Sequence, residues 1–287
     1  TRDTLGDQLL HSPLQAFGGK GAFVSEFEQA LLEGSIDLAV HSAKDMPVSL
    51  PEGLVISALS EREDPGDVLI LPKTASKTDK KELVIGTSSP RRQLQIREQW
   101  QNICGSTKWL DKESRPVCVT LRGNVQTRLK KLKEGACDGI LLAAAGLKRL
   151  GIEEGEEWRF IRLSPEQFLP AGGQGILAVE TKADTEAHRL CSQIDCRSSR
   201  LCLTAERAVL EMLQAGCHAP VAVYANLFEE DGETKLRLRG INGPEHASQL
   251  TDAELKNKIR RVDLCGTLSE ISVTTLADQA GKGLLWP

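Results

Sequence analysis

Short apolar runs alternate with amphipathic segments through the first half of the chain. Ser25 to Gly34 (SEFEQALLEG) predicts a capped helix: Ser25 and Glu28 have capping-box spacing, Phe27, Ala30 and Leu31 share a face, and Gly34 ends it. Ile36 to Val40 (IDLAV) then reads as a short buried strand. The pairing recurs with strand Leu83 to Gly86 and a helix opening in TSSPRRQ, then strand Val117 to Leu121 and a helix over Thr127 to Gly135. A further strand opens at Gly139 (GILLAAAG). Short strands alternating with helices predict an α/β architecture with mainly parallel sheets. After Pro220 the period drops to two. Val221, Val223, Ala225 and Leu227 share one face, a Glu-Asp-Gly turn follows, and TKLRLRG alternates again, which predicts a β-hairpin in a smaller α+β unit. The polar stretch from Pro72 to Lys81 reads as a linker or exposed loop, and SEREDPGD and GIEEGEEW as acidic surface.

Composition alters this picture little. A chain of 287 residues suggests two or three domains, and 40% apolar with 26% charged residues is ordinary for a soluble globular protein. No apolar run approaches the roughly 20 residues of a membrane span, and the opening TRDTLGDQLL lacks the basic-then-apolar pattern of a secretory signal. The eight cysteines form no C-x-x-C pair, so neither a structural zinc site nor a disulfide framework is expected. Most read as buried small hydrophobes in a reducing compartment. Cys217 stands apart, because GCHAP sets it in a glycine-flanked connection between a helix and a strand.

Charge alters the picture more. The net charge is −4, yet Arg91 to Arg149 holds thirteen Lys and Arg against five Asp and Glu, so this stretch is +8 and the remainder −12. A basic segment in an acidic protein points to an anionic ligand held locally. Arg91 and Arg92 follow Thr87-Ser88-Ser89-Pro90, a strand end passing into a hydroxyl-capped helix start with proline in its first turn. Free N–H groups there favour anions, and two guanidiniums add forked donors. Arg122 comes directly after a predicted strand, where open α/β sheets bind ligands; Arg128 lies in the next helix and Arg149 beyond the third strand. One such arginine is more often a solvated surface charge; several recurring at strand ends favour carboxylate or phosphate binding. Nucleic acid fits poorly, since only Trp100 and Trp109 supply aromatic rings for stacking in the stretch.

Two further segments carry candidate chemistry. AFGGKGAF sets Lys20 in a glycine-rich loop, which alone reads as a flexible connection. HSAKDMP, from His41 to Pro47, places a histidine, a serine, a lysine and an aspartate at a strand end. Residues this close in sequence rarely converge into a Ser/His/Asp triad, and no G-x-S-x-G elbow is present. Asp45 alone is as well explained by a turn or helix cap.

HSAKDMP, GTSSPRRQLQ, LRGNVQTRL, LLAAAGLKRLG, LPAGGQG, TAERAVL and GCHAPVAVYA occur in an order that resembles the porphobilinogen deaminase family over nearly the whole chain. The resemblance is weakest in the polar linker, at roughly 101–116, which looks like an insertion, and after about Gly243. It implies two periplasmic-binding-protein-like lobes around a cleft plus a smaller α+β domain: 1–64 with 164–184, 65–163, and 185–287. TRDTLGD resembles an interior segment of the first domain, and the family's opening strand and helix, with a cofactor-binding arginine, are not visible in the sequence.

The resemblance also implies an activity. Four porphobilinogen molecules are condensed head to tail into hydroxymethylbilane, with release of ammonia, on a dipyrromethane primer fixed by a thioether to the cysteine matching Cys217. Losing the aminomethyl amine leaves an electrophilic azafulvene cation, and Asp45 matches the family's catalytic carboxylate, suited to stabilising that charge. The cofactor is expected at Cys217, Lys44, Asp45, Thr87, Ser88, Ser89, Arg91, Arg92, Arg122 and Gly123. The substrate is expected at Lys20, Ser42, Arg128, Arg149 and Gln174, with no metal. Two residues depart from common relatives, Pro90 where many carry leucine and His218-Ala219 after the cysteine. The implied protein is a cytoplasmic or plastid monomer whose partner is a small molecule, not nucleic acid or membrane. The competing class is a non-catalytic two-lobed binder of a small polyanion, which leaves Cys217 and Asp45 without a task.

Overall fold

A computed structural model describes residues 24–74, 80–216, 219–244, 246–268 and 272–286. Lys20, Cys217 and His218 lie outside the described residues. The described residues begin with α1 (Val24–Glu33), which Gly34 ends at φ 71°, and the helix starts one residue before Ser25. β1 (Leu38–Ser42) lies two residues later than the apolar run suggested, so it includes His41 and Ser42. A single 3-10 turn, Ala43–Asp45, follows directly. β2 (Leu54–Leu59) and the much later β8 (Leu177–Lys182) complete one sheet in the order β1-β8-β2, with β8 antiparallel to both neighbours.

A second sheet has five strands in the order β5-β4-β6-β3-β7. These are β3 (Asp67–Pro72), β4 (Glu82–Gly86), β5 (Arg115–Val119), β6 (Gly139–Ala143) and β7 (Trp158–Leu163). The helices α2 (Pro90–Gly105), α3 (Val125–Lys133) and α4 (Ala144–Arg149) connect its strands. Leu69, Ile70, Ile85, Ile140 and Leu141 are fully buried, each contributing about 1.5–3 kcal/mol through loss of apolar surface from water. The stretch 101–116 belongs to this core, because Cys104 and Leu110 are buried within it and Trp100 donates its indole N–H to Ser114 O at 2.7 Å.

The sheets are mixed, which corrects the expectation of mainly parallel pairing. Among the described residues only β5-β4-β6 pair in parallel. β3 runs against both β6 and β7, and β8 against β1 and β2. β3 and β8 are where the chain, having crossed from one sheet to the other, enters the sheet it crosses to. Each of these two strands runs against both of its neighbours, and apolar periodicity carries no information about direction.

The third sheet, in the order β11-β10-β9, is antiparallel throughout. β9 (Val221–Glu230) and β10 (Glu233–Asn242) form the expected hairpin around Asp231 and Gly232, both at positive φ, as a two-residue turn matched to strand twist requires. β11 (Arg260–Thr267) lies outside them. α6 (Arg197–Met212) and α8 (Val273–Leu284) bury Ala205, Val209, Leu276, Ala277 and Ala280 against it. α5 (Glu186–Cys191) and α7 (Asp252–Lys258) complete the described helices. All seven described cysteines are free thiols, but only Cys104, Cys137 and Cys202 are buried, fewer than expected.

Candidate active site

A cavity of about 470 Å³ lies where the three sheets meet. The first sheet supplies Lys44 to Val48, from the turn after β1. The second supplies Ser88, Ser89, Arg91 and Arg92 from the start of α2, with Arg128 from α3. The returning crossing adds Ala171, Gly172 and Gln174, and the third unit adds Leu210, Ala215, Gly216, Ala219 and Val221. Gly216 and Ala219, the described residues on either side of Cys217 and His218, are therefore both on the wall.

The start of α2 is built as its sequence indicates. Ser89 is the N-cap, its hydroxyl accepting from Arg92 N–H, and Pro90 occupies the first helical position, where a missing N–H costs nothing. Thr87 is buried and serves the turn, its hydroxyl accepting from Ser89 N–H at 3.2 Å while its own N–H donates to Val119 O. Ser88 donates to Leu121 O at 2.9 Å. Arg91 and Arg92 are buried and converge on one carboxylate, Asp67 at the start of β3, at 2.8 and 2.7 Å. Each also donates to a main-chain carbonyl, Arg91 to Leu169 O at 2.7 Å and Arg92 to Leu141 O at 3.0 Å. Burial alone would raise the Asp67 pKa. Arg91 and Arg92, with hydrogen bonds from Arg92 and Gln174, outweigh it and hold the carboxyl well below the usual range.

The wall carries four basic side chains, Lys44, Arg91, Arg92 and Arg128, against one carboxylate, Asp45, among its described residues. Burial, and after it the Arg92 guanidinium, lowers the pKa of Lys44, while Asp45 pulls the other way. Burial and Arg92 likewise lower that of Arg128, whose Nε–H donates to Gly123 O at 2.7 Å. Gly123 itself sits at φ 117°. Four cations against one carboxylate give the wall a net positive charge, which suits an anionic ligand.

Gln174 adds a polar acceptor. It is 1% exposed and its Nε2 donates to Pro65 O at 2.7 Å and to Asp67 Oδ1 at 3.0 Å, which fixes the amide's orientation. Its Oε1 has no hydrogen-bond partner among the described residues. A buried acceptor without a partner on a cavity wall suits an N–H donor such as a pyrrole nitrogen.

Several expected residues stand off this wall. Strand β5 ends at Val119, so Arg122 lies in the loop to α3 and not directly after the strand; its carbonyl accepts from Lys131 Nζ at 3.1 Å. Arg149 ends α4 and donates to Gly175 O at 2.7 Å, bracing the crossing. Ser42, Thr87 and Gly123 shape the elements that carry the wall. His41 turns away to Glu180 of β8, with Nε2 to Oε2 at 2.9 Å, so no Ser/His/Asp triad forms. Sequence reasoning missed Asp67, read as surface within SEREDPGD, and Glu206, which the TAERAVL motif contains without suggesting a role. Both are fully buried acids, and no local signal distinguishes such an acid from a solvated one.

Similarity to known proteins assigns the chain's family. Residues 1–189 match the model of the porphobilinogen deaminase dipyromethane cofactor binding domain, and residues 200–270 match that family's C-terminal domain. The chain belongs to the porphobilinogen deaminase family. Its relatives include the porphobilinogen deaminase of Laribacter hongkongensis, 40% identical over 265 residues, 92% of this chain and 80% of that protein. That of Chromobacterium violaceum is 43% identical over 228 residues, 79% of this chain and 69% of that protein. Among solved structures, the aliphatic sulphonate binding protein SsuA of Escherichia coli has a TM-score of 0.34 at 16% identity, over 68% of this chain and 62% of that one. The chain is thus a transferase acting on a small molecule, porphobilinogen, with a dipyrromethane cofactor. No helix of the described residues is long and apolar enough to cross a membrane.

Proposed function

We propose that this cavity is where porphobilinogen units are condensed head to tail into hydroxymethylbilane, and that Cys217 carries the dipyrromethane through a thioether. The observation that carries the reading is a cation-lined cavity with one carboxylate, Asp45, whose wall also includes Gly216 and Ala219. The dipyrromethane, when bound, would supply the free pyrrole carbon to which the first unit is joined, each later unit joining the end of the lengthening chain.

The chain's own groups perform the rest. Lys44, Arg91, Arg92 and Arg128 hold acetate and propionate carboxylates through charge-assisted hydrogen bonds, helped by the Ser88 and Ser89 hydroxyls. The Asp45 carboxylate faces the substrate pyrrole and stabilises the positive charge that develops as ammonia leaves. It also accepts pyrrole N–H donation, with Gln174 Oε1 as a second acceptor. Each condensation forms one carbon–carbon bond, releases one ammonia and returns one proton from the attacked pyrrole carbon, for which Asp45 is the nearby base. Arg122 and Arg149, off the wall, serve carboxylates of the lengthening product outside it, and Lys20 and Ser42 complete the substrate contacts. We assign the first domain to 1–64 with 164–184, the second to 65–163 and the third to 185–287, and infer a cytoplasmic monomer.

A non-catalytic polyanion binder would need the cations but not Asp45 or Cys217, and the family assignment does not favour it. Intact-mass measurement tests the proposal. Protein folded in the presence of porphobilinogen should carry an added dipyrromethane and give the colour reaction of acidic p-dimethylaminobenzaldehyde, and Cys217→Ser should do neither. An unmodified mass in the unsubstituted protein would sink the reading. Asp45→Ala should keep the added mass while losing at least about 100-fold in turnover.

A further inference from the structure

We propose that Asp67 is a positioning residue of the condensation site: without lining the cavity, it sets Arg91, Arg92 and Gln174 in the orientations that meet the substrate. This rests on the reading of the cavity as the condensation site.

The geometry favours a positioning role over a simple counterion. Arg91 and Arg92 are consecutive, so on a helix their side chains leave about 100° apart. Both nevertheless turn to the same carboxylate, Arg91 Nη2 on Oδ2 and Arg92 Nη2 on Oδ1. The other terminal nitrogen of each fork is fixed on a carbonyl, of Leu169 and of Leu141. Two corners of each planar guanidinium are therefore pinned, and the remaining edge can present only one way. Asp67 Oδ1 also accepts from Gln174 Nε2, which leaves Gln174 Oε1 as the unpaired atom. One carboxylate thus orients two donors and one acceptor, and all three residues line the cavity.

Asp67 also connects these residues to the crossings between the first two sheets. It follows Pro65 and Gly66 on the outgoing crossing, and Gln174 on the returning crossing donates to the carbonyls of both at 2.7 and 3.3 Å. A displacement of one crossing relative to the other is transmitted through Gln174 to the carboxylate that holds the arginine pair. The carboxylate is fully buried, so solvent does not compete for this link.

Asp67→Glu and Asp67→Asn test the assignment together, with Arg91→Ala as the control on the site itself. Asp67→Glu keeps the charge, and hence the counterion that two buried guanidiniums need, but moves the carboxylate by one methylene. Asp67→Glu should melt within a few degrees of the parent, load dipyrromethane to a lower fraction by intact mass, and show a porphobilinogen KM raised about tenfold or more. Asp67→Asn should show the same defects more strongly if it folds, and Asp67→Glu decides the matter if it does not. A merely structural Asp67 would lower the melting temperature and the active fraction while leaving KM unchanged. Wild-type KM and loading in folded Asp67→Glu would overturn the proposal. If Arg91→Ala also left KM unchanged, the reading of the cavity would fall with it; a raised KM in Arg91→Ala beside a normal Asp67→Glu would overturn the positioning role alone.

Discussion

In the proposed function, adjacent residues on the 3-10 turn, Lys44 and Asp45, answer opposite needs of one ligand. Asp45 is exposed and lines the cavity, where its charge is open to a ligand. Lys44 lies among Arg91, Arg92 and Arg128, and burial with Arg92 lowers its pKa, so it loses its proton at a lower pH than the ordinary lysine value of 10.5. The sign follows directly. Below its lowered pKa Lys44 is a cation and binds carboxylate, and as pH rises through that value the contact weakens. KM for porphobilinogen should therefore climb on the alkaline side before an ordinary lysine would titrate, and Lys44→Arg should flatten the climb because a guanidinium keeps its charge. A KM flat through that window in the parent enzyme would refute the role. Both residues were legible in HSAKDMP, and the arginine pair was legible from its hydroxyl caps and proline. Their orienting partner was not. Asp67 lies among acidic and loop-forming neighbours in SEREDPGD, and its burial is decided by Arg91, Arg92 and Gln174, all distant in sequence.

At the level of elements, the returning crossing LPAGGQG holds the turn that carries Lys44 and Asp45 in place. Gly173 has φ 77°, and a Cβ there would stand 2.9 Å from both Ala43 C and Lys44 N. Ala43 N–H donates to Ile176 O at 3.0 Å, and Arg207 of α6 donates to the carbonyls of Pro47 and Val48. The turn is thus pressed by one element, hydrogen-bonded by its continuation and tethered by a third. Gly173→Ala should cost about 1–3 kcal/mol, from backbone strain and the clash, and should reduce turnover beyond what the stability loss explains. Denaturant unfolding combined with kcat per folded molecule measures both, and unchanged values would show that the crossing tolerates a side chain. Helices, strands and the hairpin were legible because periodicity and caps are local. Strand direction was not, because β3 and β8 take theirs from the crossings, and the strand ends at Ser42 and Val119 differ by two residues from the apolar runs that predicted them.

Across the whole molecule, one buried carboxylate connects the third unit to both crossings between the first two sheets. Glu206 of α6 is fully buried and pairs with Arg62 through both oxygens, Nη1 to Oε1 and Nη2 to Oε2, each at 2.9 Å. It also accepts from Gly173 N–H at 2.7 Å and from Ala225 N–H of β9 at 2.8 Å. Arg62 lies on the outgoing crossing and Gly173 on the returning one, while Ala225 belongs to the third sheet. The four contacts share one charge, and Arg62 further stacks at 5.4 Å on Tyr224 of the same strand. Glu206→Gln removes the charge but keeps the shape, leaving a mostly buried guanidinium unpaired and one main-chain N–H facing an amide N–H₂. Breaking a buried pair in this way costs about 3–5 kcal/mol. That loss falls at the junction and not inside any one core, so it should separate the transitions as well as lower them. The parent should unfold in one step because its units stabilise each other, and Glu206→Gln should unfold in two, the third unit parting from the paired lobes first. Calorimetry with fluorescence at several wavelengths distinguishes the cases, and a single transition near the parent's midpoint would show that the junction is held by apolar contact instead.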